Sequence, residues 1–221
     1  MGNGMSQVLP GLFLGSFADA KDAAQLSKNK ITHIISIHDT PQTLLQGITY
    51  LRIPLPDAPE VPIKQHFQEC VDFIHGCRLA GGNCLVHCMA GVSRSATVVT
   101  AYIMAVSGLG WEEALEAVRG VRPSADPNPG FREQLRSFGR ASARKMGQQL
   151  QQRYGPSTFD DEGESLRREA LRKSGGEGDP PAVEASPGGP STPRPGPPFL
   201  LRLMETCFFI PRSCCRSRRE P

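Results

Sequence analysis

The sequence predicts an α/β domain, a central, mostly parallel sheet flanked by helices, followed by a disordered C-terminal tail. Two observations predict the domain. Short runs rich in β-branched residues alternate with segments whose apolar residues recur every three or four positions, the pattern of parallel strands joined through helices. Two of the strand-like runs are apolar on successive rather than alternate residues, as strands covered on both faces are. A third observation predicts the tail: of 20 prolines, 11 fall after Gly155, mixed with Gly, Ser, Arg and Glu, whereas residues that build a core crowd into the first 140 positions. A chain of 221 residues can bury one good core. The reading therefore divides it into a domain over residues 1–150 and a Pro- and Gly-rich tail over 151–221 that ends in a basic, Cys-containing segment.

In chain order, residues 8–15 (VLPGLFLG) form an apolar run bounded by Pro and Gly and read as an edge strand, where Pro10 is tolerated. Residues 17–29 read as a short helix. Residues 32–38 (THIISIH) and 49–55 (TYLRIPL) read as strands buried on both faces, joined by a loop holding Pro41. Ile63, Phe67, Cys70, Val71 and Ile74 make one apolar stripe on a helix over 62–79, ended by Gly81 and Gly82. Residues 83–87 (NCLVH) are a strand. Residues 95–107 are apolar nearly all round, as a helix in the middle of a domain must be. Trp111, Leu115 and Val118 mark another helix; Phe131, Leu135 and Phe138 mark one more beyond the Pro-rich SADPNPG loop, and 146–153 extend a last helix. In such a sheet the carboxyl ends of the strands are where a site forms.

Charge and composition exclude several functions. A net charge of +3, with no basic stripe interleaved with aromatics in the folded part, is too mild for a nucleic-acid partner. No run approaches the roughly 18 apolar residues of a membrane span, and the N-terminus has no charged region leading into an apolar stretch, which argues against secretion. Seven cysteines, an odd number irregularly spaced, fit a reducing compartment without disulfides. Cys70, Cys77 and Cys84 lack a CxxC pair or a histidine at ligand spacing, so they read as core rather than as a zinc site.

The chemistry lies in residues 87–95, HCMAGVSRS, at a strand-to-helix turn. A loop that wraps an anion must aim successive backbone N–H groups inward, which favours Gly91 and small neighbours, and a helix starting near Arg94 points its positive end at the same place. A thiol so placed has its pKa lowered from about 8.5 to as little as ~3.5–7.5, and Cys88 is the candidate nucleophile. Arg94 offers a planar fork that grips two phosphate oxygens and binds better as the transition state forms, a geometry lysine cannot supply. The Ser95 hydroxyl can donate to the sulfur and ease its departure from phosphorus, and His87 can fix the loop through a ring hydrogen bond. A lone cysteine at a strand end is ordinarily core and a lone arginine ordinarily a solvated charge; joined with a glycine, two serines, a strand and a helix, they make a phosphate loop.

These residues, with AYIM at 101–104 and RPSADPNPGF at 122–131, resemble the dual-specificity protein phosphatases of the cysteine-based protein tyrosine phosphatase superfamily, in particular the small atypical members that open MGNGM. The resemblance covers residues 1–145. It implies the dual-specificity phosphatase fold and hydrolysis of phosphotyrosine and phosphoserine/phosphothreonine monoesters through a phosphocysteine. Phosphate would be held by Met89, Ala90, Gly91, Val92, Ser93 and Arg94. The resemblance places the general acid on Asp57 in LPDAPE, and chemistry asks for such a group: the expelled alkoxide or phenoxide needs a proton, and the same carboxylate can later activate water. Asp39, at the end of another strand, is the rival. Asn128 corresponds to a position that supports the phosphate loop. His33, His38, His66 and His75 have no partner at useful spacing and read as packing or surface residues.

Nothing here resembles the deep phosphotyrosine-gripping loop of classical tyrosine phosphatases, and the loop lacks the lysines of the lipid phosphatases, which favours phosphoprotein substrates. No metal or other cofactor is expected, because loop amides and Arg94 supply the positive charge. The alternative left open is a phosphate-binding membrane adaptor with little or no turnover.

The ends suggest membrane attachment. MGNGMS matches the N-myristoylation pattern, with Gly2 exposed once Met1 is removed. One myristoyl chain binds only marginally, with K of order 10⁴ M⁻¹. A second contact is offered by FLLRLMETCFFIPRSCCRSRRE, where Phe199, Leu200, Phe208 and Phe209 accompany Arg212, Arg216, Arg218 and Arg219, and where Cys207, Cys214 and Cys215 are candidates for acylation. The bland reading of that segment is an inert tail. The expected location is the cytoplasmic face of the plasma membrane and the cytoplasm.

Overall fold

The computed structural model describes residues 4–39, 44–155 and 159–165. Pro41, Gly2, most of the Pro- and Gly-rich tail and Cys207, Cys214 and Cys215 lie outside the described residues.

Among the described residues five strands form one sheet in the order β1-β2-β5-β3-β4: β1 (Ser6–Leu9), β2 (Leu12–Gly15), β3 (Ile31–Ile37), β4 (Thr49–Ile53) and β5 (Asn83–His87). All neighbours are parallel except β1 and β2, which are antiparallel. The fold is thus the expected mostly parallel α/β layer structure. Helices follow as α1 (Ala23–Lys28), α2 (Phe67–Leu79), α3 (Arg94–Ser107), α4 (Trp111–Val121) and α5 (Pro129–Tyr154).

Three sequence expectations are corrected. The run at 8–15 is not one edge strand: the chain turns at Pro10 and Gly11, so its first part, β1, lies at an edge while β2 pairs inward with β5. Residues 17–29 do not make one helix, because Asp22 leaves helical backbone geometry to cap α1, accepting from the amides of Ala24 and Gln25, and a 3₁₀ turn (Asp19–Lys21) precedes it. β4 is not buried on both faces; it is an edge strand whose Thr49 and Arg52 are exposed, while Leu51 and Ile53 pack on the large core and Tyr50 against the smaller cluster.

Alternation along the strands divides the core between two faces. Leu12, Leu14, Ile35, Ile37, Cys84 and Val86 join the large core beneath α2 to α5. Phe13, Ile34 and Leu85, the intervening residues, join a smaller cluster with Leu26 of α1. Helix α3 packs against β2, β5, α2, α4 and α5, which is why it is apolar all round. Its buried hydroxyls are satisfied locally: Thr97 donates to the Ser93 carbonyl and Thr100 to that of Ala96, each at 2.8 Å. Cys70, Cys77 and Cys84 are buried free thiols.

Packing continues past Tyr154. In residues 159–165, Asp161 accepts two hydrogen bonds from Arg78 of α2, both 2.8 Å, and Phe159 lies under the same guanidinium at 4.1 Å. Arg78 also donates to the Tyr102 hydroxyl of α3 at 2.7 Å and to the Pro10 carbonyl at 2.7 Å. All members of this pair are buried. Replacing Asp161 by alanine leaves a buried guanidinium without its counter-charge, a change that costs roughly 3–5 kcal/mol. Urea unfolding followed by circular dichroism should show that loss, and a cost under about 1 kcal/mol would mean the pair does not anchor the segment.

Candidate active site

The sheet order carries the site. β5 is central, so its carboxyl end, Cys88 and the turn into α3 emerge between the ends of β2 and β3. Cys88 is 1% exposed. Its Sγ accepts from the Gly91 amide at 3.3 Å and lies 3.2 Å from Ser95 Oγ. Gly91 adopts φ +68°, a left-handed conformation that side chains rarely take, and a Cβ there would stand 2.6 Å from the Gly15 carbonyl oxygen. Glycine is required on both counts. Burial pushes the Cys88 thiol up, but the Ser95 hydroxyl and the amides of Ser95, Gly91 and Val92 outweigh it, and the net shift is downward.

Arg94, the first residue of α3, is buried; its Nη1 donates to the Leu55 carbonyl at 2.9 Å, just past β4. That bond fixes the guanidinium plane beside the loop. Its Nε stands 3.6 Å from Asp57 Oδ2 and has no hydrogen-bond partner among the described residues.

Asp57 is the carboxylate brought to the loop. Its Oδ1 accepts from Ser93 Oγ and from Asn128 Nδ2, each at 2.8 Å. The Asn128 amide in turn donates to Ser93 Oγ at 3.1 Å, and its side-chain oxygen caps α5 by accepting from Phe131 N at 2.9 Å. Asn128 therefore holds the Asp57 loop as well as residues 88–94, more contacts than the sequence alone suggests. Gly130 explains the tightness of this corner, because a Cβ there would collide with the Pro59 carbonyl of the Asp57 loop. Asp39 is exposed, and its carboxylate makes no hydrogen bond or ion pair among the described residues.

His87 is fully buried. Its Nδ1 lies 3.2 Å from the Cys88 carbonyl, which can only accept, so Nδ1 carries the hydrogen and Nε2 accepts from Ser36 Oγ at 2.7 Å. Burial pushes this imidazole down to about 4, so the ring is neutral and serves as a strut. Met89 is 45% exposed, and its carbonyl accepts from the Phe17 amide at 3.1 Å. His38 and His75 are buried against aromatic rings, as packing residues.

Sequence reasoning missed several contacts to this loop: Ser36, the Leu55 carbonyl, Arg122 and the amides of Phe17 and Asp126. Arg122 sits just past an amphipathic helix, where an arginine ordinarily reads as a solvated cap. In the structure it is 8% exposed and donates to the Gly91 carbonyl at 2.8 Å. Among the described residues there is no group of three or more His, Cys, Asp or Glu placed to hold a metal ion.

Thiol, guanidinium and carboxylate thus meet where amides and a helix start face one point, a site built for sulfur to handle a phosphoryl group. This is the class of the cysteine-dependent phosphatases. The family model for the dual specificity phosphatase catalytic domain matches residues 12–141. Dual specificity protein phosphatase 15 of Rattus norvegicus is 55% identical over 236 residues, covering 99% of this chain and 99% of its own. Dual specificity protein phosphatase 22 of Homo sapiens is 53% identical over 161 residues, 73% of this chain and 88% of its own. The crystal structure of DUSP15 superposes with a TM-score of 0.69 at 67% identity, covering 71% of this chain and 100% of that one. The chain belongs to the dual-specificity protein phosphatases and is a protein phosphatase by that membership.

Removing the Ser95 hydroxyl tests the electrostatics of the sulfur. A hydrogen bond to a charged group contributes about 1.5–3 kcal/mol, or roughly one to two pKa units, so Ser95→Ala should raise the pH midpoint of Cys88 alkylation by iodoacetate by about that much. An unmoved midpoint would show that the amides alone set it.

Proposed function

We propose that the chain hydrolyses phosphotyrosine and phosphoserine/phosphothreonine monoesters on proteins through a phosphocysteine, with Cys88 as nucleophile. The observation that carries this reading is the sulfur's environment, buried yet receiving the Gly91 amide and the Ser95 hydroxyl, with its pKa shifted down. In the first step the Cys88 thiolate attacks phosphorus and the bond to the leaving oxygen breaks, while the Asp57 carboxylic acid passes its proton to that oxygen. In the second step the Asp57 carboxylate takes a proton from water, the water oxygen attacks phosphorus, and the S–P bond breaks. Ser95 donates to the departing sulfur. Through both steps the amides of residues 89–94 and the Arg94 fork hold the equatorial oxygens, so no cofactor is needed.

Turnover of para-nitrophenyl phosphate tests the assignment. Cys88→Ser should abolish it, and mass spectrometry of the trapped wild type should find phosphorus on Cys88. Asp57→Ala should lower kcat about 10²–10⁴-fold, the usual contribution of a positioned acid, while phosphoproteins still bind. Turnover that survives at the wild-type rate in either variant removes that residue from the mechanism.

We further propose that Gly2 is N-myristoylated and places the enzyme at the cytoplasmic face of the plasma membrane, with a fraction in the cytoplasm. The pattern MGNGMS supports this; the basic, apolar tail with Cys207, Cys214 and Cys215 is a second contact. Gly2→Ala should eliminate incorporation of an alkyne-myristate label and shift the protein to the soluble fraction. Labelling that persists in that variant would refute the lipid assignment.

A further inference from the structure

Arg122 ends α4 and precedes Pro123; its backbone leaves helical geometry there (φ −135°, ψ 83°), which swings the side chain beneath the phosphate loop. The guanidinium is buried and every nitrogen is engaged. Nε donates to the Gly91 carbonyl at 2.8 Å and Nη2 to the Ala90 carbonyl at 3.3 Å. Nη1 reaches the N-terminal segment, at 3.2 Å from the Gly4 carbonyl and 3.5 Å from Ser6 Oγ. Among the described residues Arg122 forms no ion pair with a carboxylate. A cation buried without a counter-ion is costly, and one placed where carbonyls alone hold it points to a use for its charge and shape.

That use follows from peptide geometry. In a planar trans peptide the C=O and the following N–H point in opposite directions. Drawing the Ala90 carbonyl towards Arg122 therefore aims the Gly91 amide the other way, and that amide is found on Cys88 Sγ at 3.3 Å. Drawing the Gly91 carbonyl likewise aims the Val92 amide at the sulfur, whose ionisation it favours. The close fit leaves no slack: a Cβ on Gly91 would stand 2.5 Å from Arg122 Nη2.

We propose that Arg122 is a positioning residue for the phosphate loop, holding the Ala90 and Gly91 carbonyls on the side away from Cys88 so that the Gly91 and Val92 amides face the sulfur and the phosphate. This rests on the phosphatase reading above. Through Gly4 and Ser6 the same guanidinium ties the N-terminal segment to the loop. Arg94 works from the front, on the phosphate; Arg122 works from behind, on the peptide planes.

Lysine keeps the charge but lacks the planar fork that sets Nε on one carbonyl and Nη2 on the next. In the full chain, with folding verified by circular dichroism, Arg122→Lys should lower kcat for para-nitrophenyl phosphate by at least ~10-fold, below the 10²–10³ of removing an anion-binding donor outright. It should also raise the midpoint of Cys88 alkylation, which tracks the amides of Gly91, Val92 and Ser95 and the Ser95 hydroxyl. A folded Arg122→Lys protein with wild-type kcat and midpoint overturns the proposal. Should that variant not fold, a crystal structure of the wild type with tungstate decides: Arg122 is expected on both carbonyls with the Gly91 and Val92 amides on the anion, and carbonyls turned away from Arg122 would overturn it. Failure of the phosphatase reading looks different, since wild type would then not turn over at all while its alkylation midpoint would still respond to Arg122.

Discussion

The molecule is organised around a sulfur atom that is both buried and disposed to be an anion. These requirements oppose each other, because burial favours the neutral thiol. Only donors fixed at the sulfur reverse the balance, and at Cys88 the Ser95 hydroxyl and three backbone amides do so. Backbone amides serve because they cannot swing away without unfolding the loop, and the start of α3 adds the positive end of a helix thirteen residues beyond its first. The central place of β5, with parallel neighbours on both sides, gives the loop a rigid origin.

How much of this was legible in the sequence depended on the range of the interactions. Strand β5 and helix α3 could be read almost to the residue, because one is a short apolar run ended by the loop and the other is a buried helix whose every face is apolar. The phosphate loop was legible because its chemistry is compressed into nine consecutive residues, 87–95. Errors fell where tertiary context decided. The Pro10-Gly11 turn makes a hairpin of what reads as one strand, and β4 lies at the edge of the sheet with Thr49 and Arg52 exposed. Asp161 was invisible for a similar reason: an aspartate in a polar, Gly-flanked stretch carries no sign that Arg78, 83 positions earlier, awaits it.

The candidate site shows the same division. Cys88, Arg94 and Ser95 are candidates from local pattern alone, and the structure places Asp57 beside Arg94 from a loop after a different strand. Asp57 is joined to residues 88–94 directly by the Ser93 hydroxyl and again through Asn128, which caps α5, bonds the carboxylate and donates to Ser93. The Asp57 loop, residues 88–94 and α5 therefore share one corner, and Gly130 is where backbone meets backbone there. A carboxylate held by two fixed donors keeps its orientation without a long side chain having to be ordered at each encounter.

The phosphate loop cannot hold its own shape. Its inward amides leave its carbonyls facing outward into protein, and buried carbonyls need partners. Each is met by a different element: the Cys88 carbonyl by His87, itself braced by Ser36 of β3; that of Met89 by Phe17 after β2; those of Ala90 and Gly91 by Arg122 after α4; that of Val92 by Asp126 before α5. The anion site on the inner surface and the ring of donors on the outer surface are thus two sides of the same peptide planes. A motif of nine residues can specify the reacting groups, but the direction of its amides is set by four separate parts of the chain, which is why the surrounding fold is as much a part of the site as the cysteine.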